Sequence, residues 1–337
     1  MNVGIKVPLP PFNGATRGGP GFDGGLDGFD LGTGILFPLL GRTENRDTAM
    51  NTVAPIWDGN ETWLILGGGG LFAVFPLAYA IIMPAIYAPI IAMLLALIFR
   101  GVAFEYRFKT VRGRWLWDVS FFLGSFVAAL SQGIALGTLV QGIEVSGRAY
   151  AGGWFDWLTP FSLMTGGAVV IGYTLLGATW LVMKTDGELR DIARRYAFFA
   201  GIGTLLLMGA VSLWMPFLKE EFYLRWFAFP QILYVAPVPI LTALAAFSLL
   251  QSLAAGKDVR PFLSALALFL LAFAGLGISF YPNIIPPDVT IWEAAAPDAS
   301  MEFLLVGASV LIPMILIYTG YAYWVFRGKV RPGEGYH

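Results

Sequence analysis

Acidic side chains set within long apolar runs are the residues of this sequence best suited to chemistry, and the chemistry they suit is proton movement. The first pair is Asp27 and Asp30 in DGFD, three residues apart and so on one face if the segment is helical. Two such carboxylates in a medium of low dielectric repel each other, so one is expected to hold a proton near neutral pH and to exchange it readily. The alternative is that Asp27 caps a short helix near the outer membrane boundary and Asp30 is solvated. The second group is WDGNETW, with Asp58 and Glu61 three residues apart. Asp58 at a helix N-cap with Glu61 reaching back is a capping-box pattern, and that position is compatible with proton entry. Charges at membrane depth are costly, which makes all four acids candidates for a proton path.

Other chemistry is excluded or weak. Cysteine is absent, so there are no disulfides, thiolate metal sites or cysteine nucleophiles. The single histidine is His337, the last residue, which rules out a haem held by two histidines within the apolar segments. The ten methionines read as adaptable core filler. No phosphate-binding glycine loop, metal-ligand spacing or nucleophile–base arrangement is present. Gly67–Gly70 reads as a site of close helix–helix approach. Gln132 and Gln251 read as interhelical hydrogen-bond partners. Glu105, Arg107 and Asp118 read as salt-bridging and capping residues of a basic loop, and the acids Asp288, Glu293 and Asp298 as a solvated outer face.

The elements that must position these groups follow from composition. Of the residues, 57% are hydrophobic and 13% charged, against roughly 45–50% and 25% in a soluble domain. Lipid, rather than a polar surface, must cover such a chain. Net charge is −1, which offers no basic face for nucleic acid. Eight continuous apolar runs are long enough to be spanning helices, at 63–83, 85–100, 117–140, 161–183, 196–218, 232–253, 262–280 and 303–326. A weaker run at 26–40 is too short to cross alone. The expected fold is an all-α polytopic transmembrane bundle with eight clear spans plus a short or damaged first one. Its divisions are an atypical Gly/Pro-rich stretch (1–25), the helical domain (26–327) and a tail (328–337).

Basic residues alternate between connections. Arg42 and Arg46; Arg100, Arg107, Lys109, Arg112 and Arg114; Lys184, Arg190, Arg194 and Arg195; Lys257 and Arg260; and Arg327, Lys329 and Arg331 fall in one alternate set. Arg148, Lys219 and Arg225 make up the other. The positive-inside bias therefore places the first set, and the C-terminus, in the cytoplasm. Trp115, Trp117, Trp154, Trp157, Trp226 and Trp292 read as interfacial belts.

The motifs DGFDLGTGILFPLLGR (27–42), APIWDGNETWLILGGGGLFA (54–73), FEYRFK (104–109), WDVSFFLGSF (117–126) and IWEAA (291–295) resemble the smaller subunit of cytochrome bd-type quinol oxidases, over essentially the whole membrane region. The short loops and the ending GYH resemble the cyanide-insensitive branch. The resemblance implies nine spans and a heterodimer in the bacterial inner membrane. The larger subunit would hold two b-type haems and one d-type haem, with quinol and dioxygen as substrates of the complex. No cofactor would be bound by this chain. Asp58 falls on the family's WDG aspartate, implicated in a proton path towards the partner's haems, and Asp27 and Asp30 fall on the DGFD pair. Where the family has an apolar half-helix before DGFD, this chain has its Gly/Pro-rich stretch, which a reading-frame change upstream of about Gly25 would explain. The rival reading of the same acids is a proton-coupled secondary transporter. A third is a purely structural assembly partner.

Overall fold

Continuous apolar sequence in lipid must satisfy its own backbone groups, and helices do so within each segment. The computed structural model describes residues 28–331 and 333, and the described chain is a helical bundle. Its helices are α1 (Gly28–Leu36), α2 (Thr43–Val53), α3 (Trp57–Val74), α4 (Pro76–Ala85), α5 (Tyr87–Arg107), α6 (Arg114–Gln141) and α7 (Pro160–Lys184), followed by α8 (Gly187–Leu218), α9 (Glu220–Phe227), α10 (Gln231–Val235), α11 (Pro237–Ala254), α12 (Arg260–Phe280), α13 (Ile291–Ala294) and α14 (Asp298–Val325). Two small antiparallel hairpins, β1 (Val145–Ser146) with β2 (Ala149–Tyr150) and β3 (Asn283–Ile285) with β4 (Val289–Thr290), lie in connections. Among the described residues, 7 helical segments are long and apolar enough to cross a bilayer: α5, α6, α7, α8, the stretch Gln231–Ala254, α12 and α14. The all-α polytopic bundle is as expected.

Two segments differ in detail from the expected spans. The run 63–83 is divided between α3 and α4, because Pro76 has no N–H to donate and the chain bends at Phe75 (φ −129°, ψ 64°). Within the described residues the first run is α1 continuing into a 3-10 turn at Phe37–Leu40, about 20 Å in all at 1.5 Å per residue. Protein, not lipid, supports it. Every residue of α1 is buried, and Gly32 lies so close to α7 that an added Cβ would strike the Tyr173 carbonyl and the Gly177 backbone. Gly34 is likewise pressed against Ser125 of α6. Phe29 stacks on Trp180 of α7 at 4.3 Å, fixing the half-helix in the main apolar core.

At the rim, the most apolar stretch of α14 is entirely unburied and Gln231–Ala254 is nearly so. Apolar surface of this extent calls for lipid or another chain to cover it.

The basic connections gather at one end. Arg46 pairs with Asp118 at 3.0 Å, Arg42 with Glu188 at 3.4 Å, and Lys329 with Asp186 at 2.6 Å and Asp258 at 2.9 Å. Lys219, from the poorly basic set, instead donates to the Pro286 carbonyl at the other end.

The tail clasp has a defined response to pH. Burial pushes the Asp258 carboxyl up, but hydrogen bonds from Lys329 and Arg190 outweigh it and hold the group below the ordinary carboxylate value. Burial lowers Lys329, and its bonds to Asp186 and Asp258 more than reverse that. The Asp258 contribution is therefore complete above the ordinary carboxylate range and lost as pH falls through its depressed value; the Lys329 contribution is complete below the ordinary ammonium value and lost as pH rises through its elevated one. Proteolysis of the C-terminal tail is expected to stay flat from about pH 5 to about pH 9. Lys329→Ala should raise it at neutral pH, and an unchanged cleavage rate would show that the clasp does not hold the tail.

Candidate functional site

The first residues of α3 point in three directions and so divide the acids that sequence places together. Asn60 turns inward and is fully buried, with its Nδ2 donating to Asp30 Oδ2 of α1 at 2.5 Å. The Asn60 Oδ1 accepts from the Tyr323 hydroxyl of α14 at 3.0 Å. Asp30 has no exposed surface, so the alternative in which it is solvated does not hold. Its helix packs among Phe29, Trp180, Phe262 and Tyr323, whose rings contact one another at 4.3–6.3 Å. Such apolar walls strengthen a hydrogen bond to a carboxylate and make its loss costly.

Glu61 turns sideways. Its Oε1 accepts from Nη1 of Arg100 on α5, a residue without exposed surface. The guanidinium lies over the rings of Trp57 (5.9 Å), Phe104 (5.3 Å) and Phe121 (5.8 Å). Aromatic faces are favourable surroundings for a desolvated cation. Gly124 of α6 makes the fit possible, since a Cβ there would meet the Arg100 Cβ at 2.9 Å.

Asp58 turns outward. It is exposed and makes no hydrogen bond or ion pair with the described residues. The expected capping box is absent: the N-cap is Ile56, with no side-chain cap bond, and Asp58 lies inside the first turn. The reason is that the link from α2 is already helical at Ala54 (φ −51°, ψ −35°), so α3 begins before the aspartate. Asp58 still faces the positive end of the helix dipole. Asp27 lies outside the described residues.

At the basic end a second charged chain joins α2, α5 and α6. Arg107, fully buried, donates through Nε to Asp118 (2.5 Å) and through Nη1 to Asp47 (2.7 Å). Arg46 also binds Asp118, at 3.0 Å, and Arg114 binds Asp47, at 2.6 Å. The salt bridging expected of Arg107 and Asp118 is therefore present. Gln132 accepts from the Tyr173 hydroxyl at 2.7 Å, as expected of an interhelical partner, whereas Gln251 is exposed and has no such bond among the described residues. Gly67–Gly70 is open: nothing in the described chain comes within 4 Å of the added Cβ positions. Close approach lies elsewhere, at Gly32 and Gly177. The acids Asp288, Glu293 and Asp298 are exposed as expected, although Ile285, Val289 and Ala294 of the same connection pack on Ala78, Ile81 and Ile82 of α4. Glu293 is held below the ordinary carboxylate value by hydrogen bonds from the Thr290 backbone and hydroxyl.

Three residues of the site escape a reading by residue pattern. Arg100 looks like a loop charge at the end of an apolar run. Asn60 sits among stronger signals in WDGNET, and Tyr323 is 263 residues from it.

Comparison with known proteins bears on this arrangement. The chain is 33% identical to the cytochrome bd-I ubiquinol oxidase subunit 2 of Escherichia coli (strain K12), covering 90% of each chain. It is 29% identical to the cytochrome bd ubiquinol oxidase subunit 2 of Bacillus subtilis (strain 168), covering 92% of this chain and 93% of that one. Its fold is similar to a chain of the bd oxidase structure from Geobacillus thermodenitrificans, with a TM-score of 0.65 at 18% identity, covering 87% of this chain and 91% of that chain. The family model described as cytochrome bd terminal oxidase subunit II matches residues 25–326, and the chain belongs to that family.

Proposed function

We propose that this chain is the haem-free smaller subunit of a respiratory terminal quinol oxidase of the bd type, seated in the bacterial cytoplasmic membrane with its C-terminus inside. Beside it, a larger subunit carries the b- and d-type haems, oxidises quinol and reduces dioxygen to water. The donor set of this chain does not fit a haem. Its one histidine is the terminal residue, and the buried methionines Met50, Met93 and Met215 belong to three different apolar clusters. Among the described residues no group of three His, Asp or Glu side chains could hold a metal ion.

The chain's own share is proton uptake, and the observation that carries this is the placement of Asp58. It stands exposed at the start of α3, at the end where the basic connections gather, two positions before the Asn60 that grips the buried Asp30. An exposed carboxylate on the same helix turn as the side chain that holds a buried one suits proton entry into an apolar interior. Glu61, held by Arg100, serves as a fixed counter-charge next to that route.

The test uses the tagged chain extracted gently from its own membranes. Co-purifying haem bands in a reduced-minus-oxidised spectrum, with quinol-dependent oxygen uptake, both lost when the larger subunit is stripped away, are expected. A chain that purifies alone without either would overturn the assignment and leave the proton-coupled transporter in its place. In the intact complex Asp58→Asn should lower turnover about tenfold, equivalent to about 1.4 kcal/mol on the proton step, with normal haem content. Unchanged turnover would reduce Asp58, and the subunit with it, to a structural part.

A further inference from the structure

A carboxamide has two unlike ends, and a carboxylate can only accept hydrogen bonds. Asn60 stands between Asp30 and Tyr323, so an ionised Asp30 calls for its NH₂ end and leaves Oδ1 to the Tyr323 hydroxyl. With the Tyr323 hydroxyl donating to Oδ1 at 3.0 Å, the NH₂ end is directed at Asp30 Oδ2, 2.5 Å away. Were the amide reversed, two acceptors would meet in a fully buried site, which costs far more than the bond itself is worth. We propose that Asn60 and Tyr323 are the positioning residues of Asp30: the phenol of the last helix anchors the Oδ1 end of the Asn60 amide, and the amide holds the Asp30 carboxylate in its proton-accepting orientation. This inference rests on the proton-uptake reading above.

The placement of Tyr323 supports a role beyond packing. Helix α14 is bare along its most apolar stretch. The chain leaving its C-terminal end is nevertheless held, by Lys184 Nζ on the Phe326 carbonyl (2.6 Å) and by the Val330 N–H on the Lys184 carbonyl (2.8 Å). The Tyr323 hydroxyl meets Asn60 of α3, and Asn60 in turn meets Asp30 of α1, so two hydrogen bonds join the barest helix to the most buried one. The Tyr323 ring also packs on Phe29 and Trp180 at 6.3 Å. Packing alone would need the ring and not the hydroxyl, and this separates the two roles.

The experiment uses the complete oxidase complex with Tyr323→Phe, which keeps the ring, together with Asn60→Leu, the double variant and Asp30→Asn. The redox-induced infrared difference spectrum is read in the carboxyl region, with the Asp30 band identified by its loss in Asp30→Asn. Tyr323→Phe should preserve haem content, shift that band and lower turnover about fivefold, the scale of one hydrogen bond. Asn60→Leu should shift the band at least as far, and the double variant no further, because Tyr323 acts through Asn60. An unmoved band in both single variants, or additive shifts, would overturn the positioning role. Wild-type turnover in Asp30→Asn would instead defeat the proton role of Asp30, whatever the band does.

Discussion

Arg107→Leu is expected to destabilise the complex by about 3 kcal/mol, the low end of the range for breaking a buried ion pair. The low end applies because neither carboxylate is stranded completely: Asp118 keeps Arg46 and Asp47 keeps Arg114. What is lost is the one group that bridges both, from a position with no access to water. The guanidinium also rests on the rings of Phe37 (4.9 Å) and Phe108 (5.4 Å), so its removal leaves a gap in the wall beneath α2. Arg107→Lys should not restore the loss, because a point ammonium cannot reproduce two bonds made from different edges of a planar fork. The midpoint of thermal loss of bound haem from the purified complex is the measurement. A midpoint equal to wild type in Arg107→Leu would show that the charged chain is ornament rather than a joint between α2, α5 and α6.

Gly32→Val should have the other large effect, a failure to assemble. Overpacking usually costs about 1–3 kcal/mol, with relief from a neighbouring side chain that gives way. No such relief exists at Gly32, where the first atom beyond Cα meets the Tyr173 carbonyl and the backbone of Gly177. Gly177→Val meets the same interface from the other side, against the Gly32 and Thr33 backbone. Gly67→Ala is the matched control: nothing described lies within 4 Å of its Cβ, so the fold should tolerate it, with a gain of up to about 1 kcal/mol in helix propensity. The yield of assembled, haem-containing complex decides. A normal yield from Gly32→Val would mean that α1 does not bed against α7.

These two sites show how far residue pattern reaches. Apolar runs and basic alternation place the long helices well: the run 262–280 becomes Arg260–Phe280, and the run 161–183 becomes Pro160–Lys184. Glycine density, by contrast, misleads. The run Gly67–Gly70 draws the eye but is open, whereas the contact that matters is made by two separate glycines, Gly32 and Gly177, on helices distant in sequence. Composition states how many small residues a helix has, not which face meets a neighbour. The spacing of Asp58 and Glu61 fits a capping box, yet the start of α3 is set by the approach from α2 and Glu61 is drawn off by Arg100, a partner 39 residues away. Local patterns lose wherever a distant partner offers a buried charge. The acids of the site are legible because charge in apolar sequence is conspicuous. Their partners Asn60, Arg100 and Tyr323 are of ordinary type, and only the fold brings them together.

The burial of α1 has a consequence for how the chain is made. It carries Asp30, and the helices that shelter it, α6 and α7, are synthesised after it. As α1 leaves the ribosome, the surfaces that cover it do not yet exist, so it must wait for its later neighbours. Its acid waits longer still. The 263 residues between Asn60 and Tyr323 take roughly 13 to 53 s to translate at typical bacterial rates. The hydrogen-bonded link to Asp30 is therefore completed only when the last helix arrives, so any chain cut short before α14 lacks a finished site.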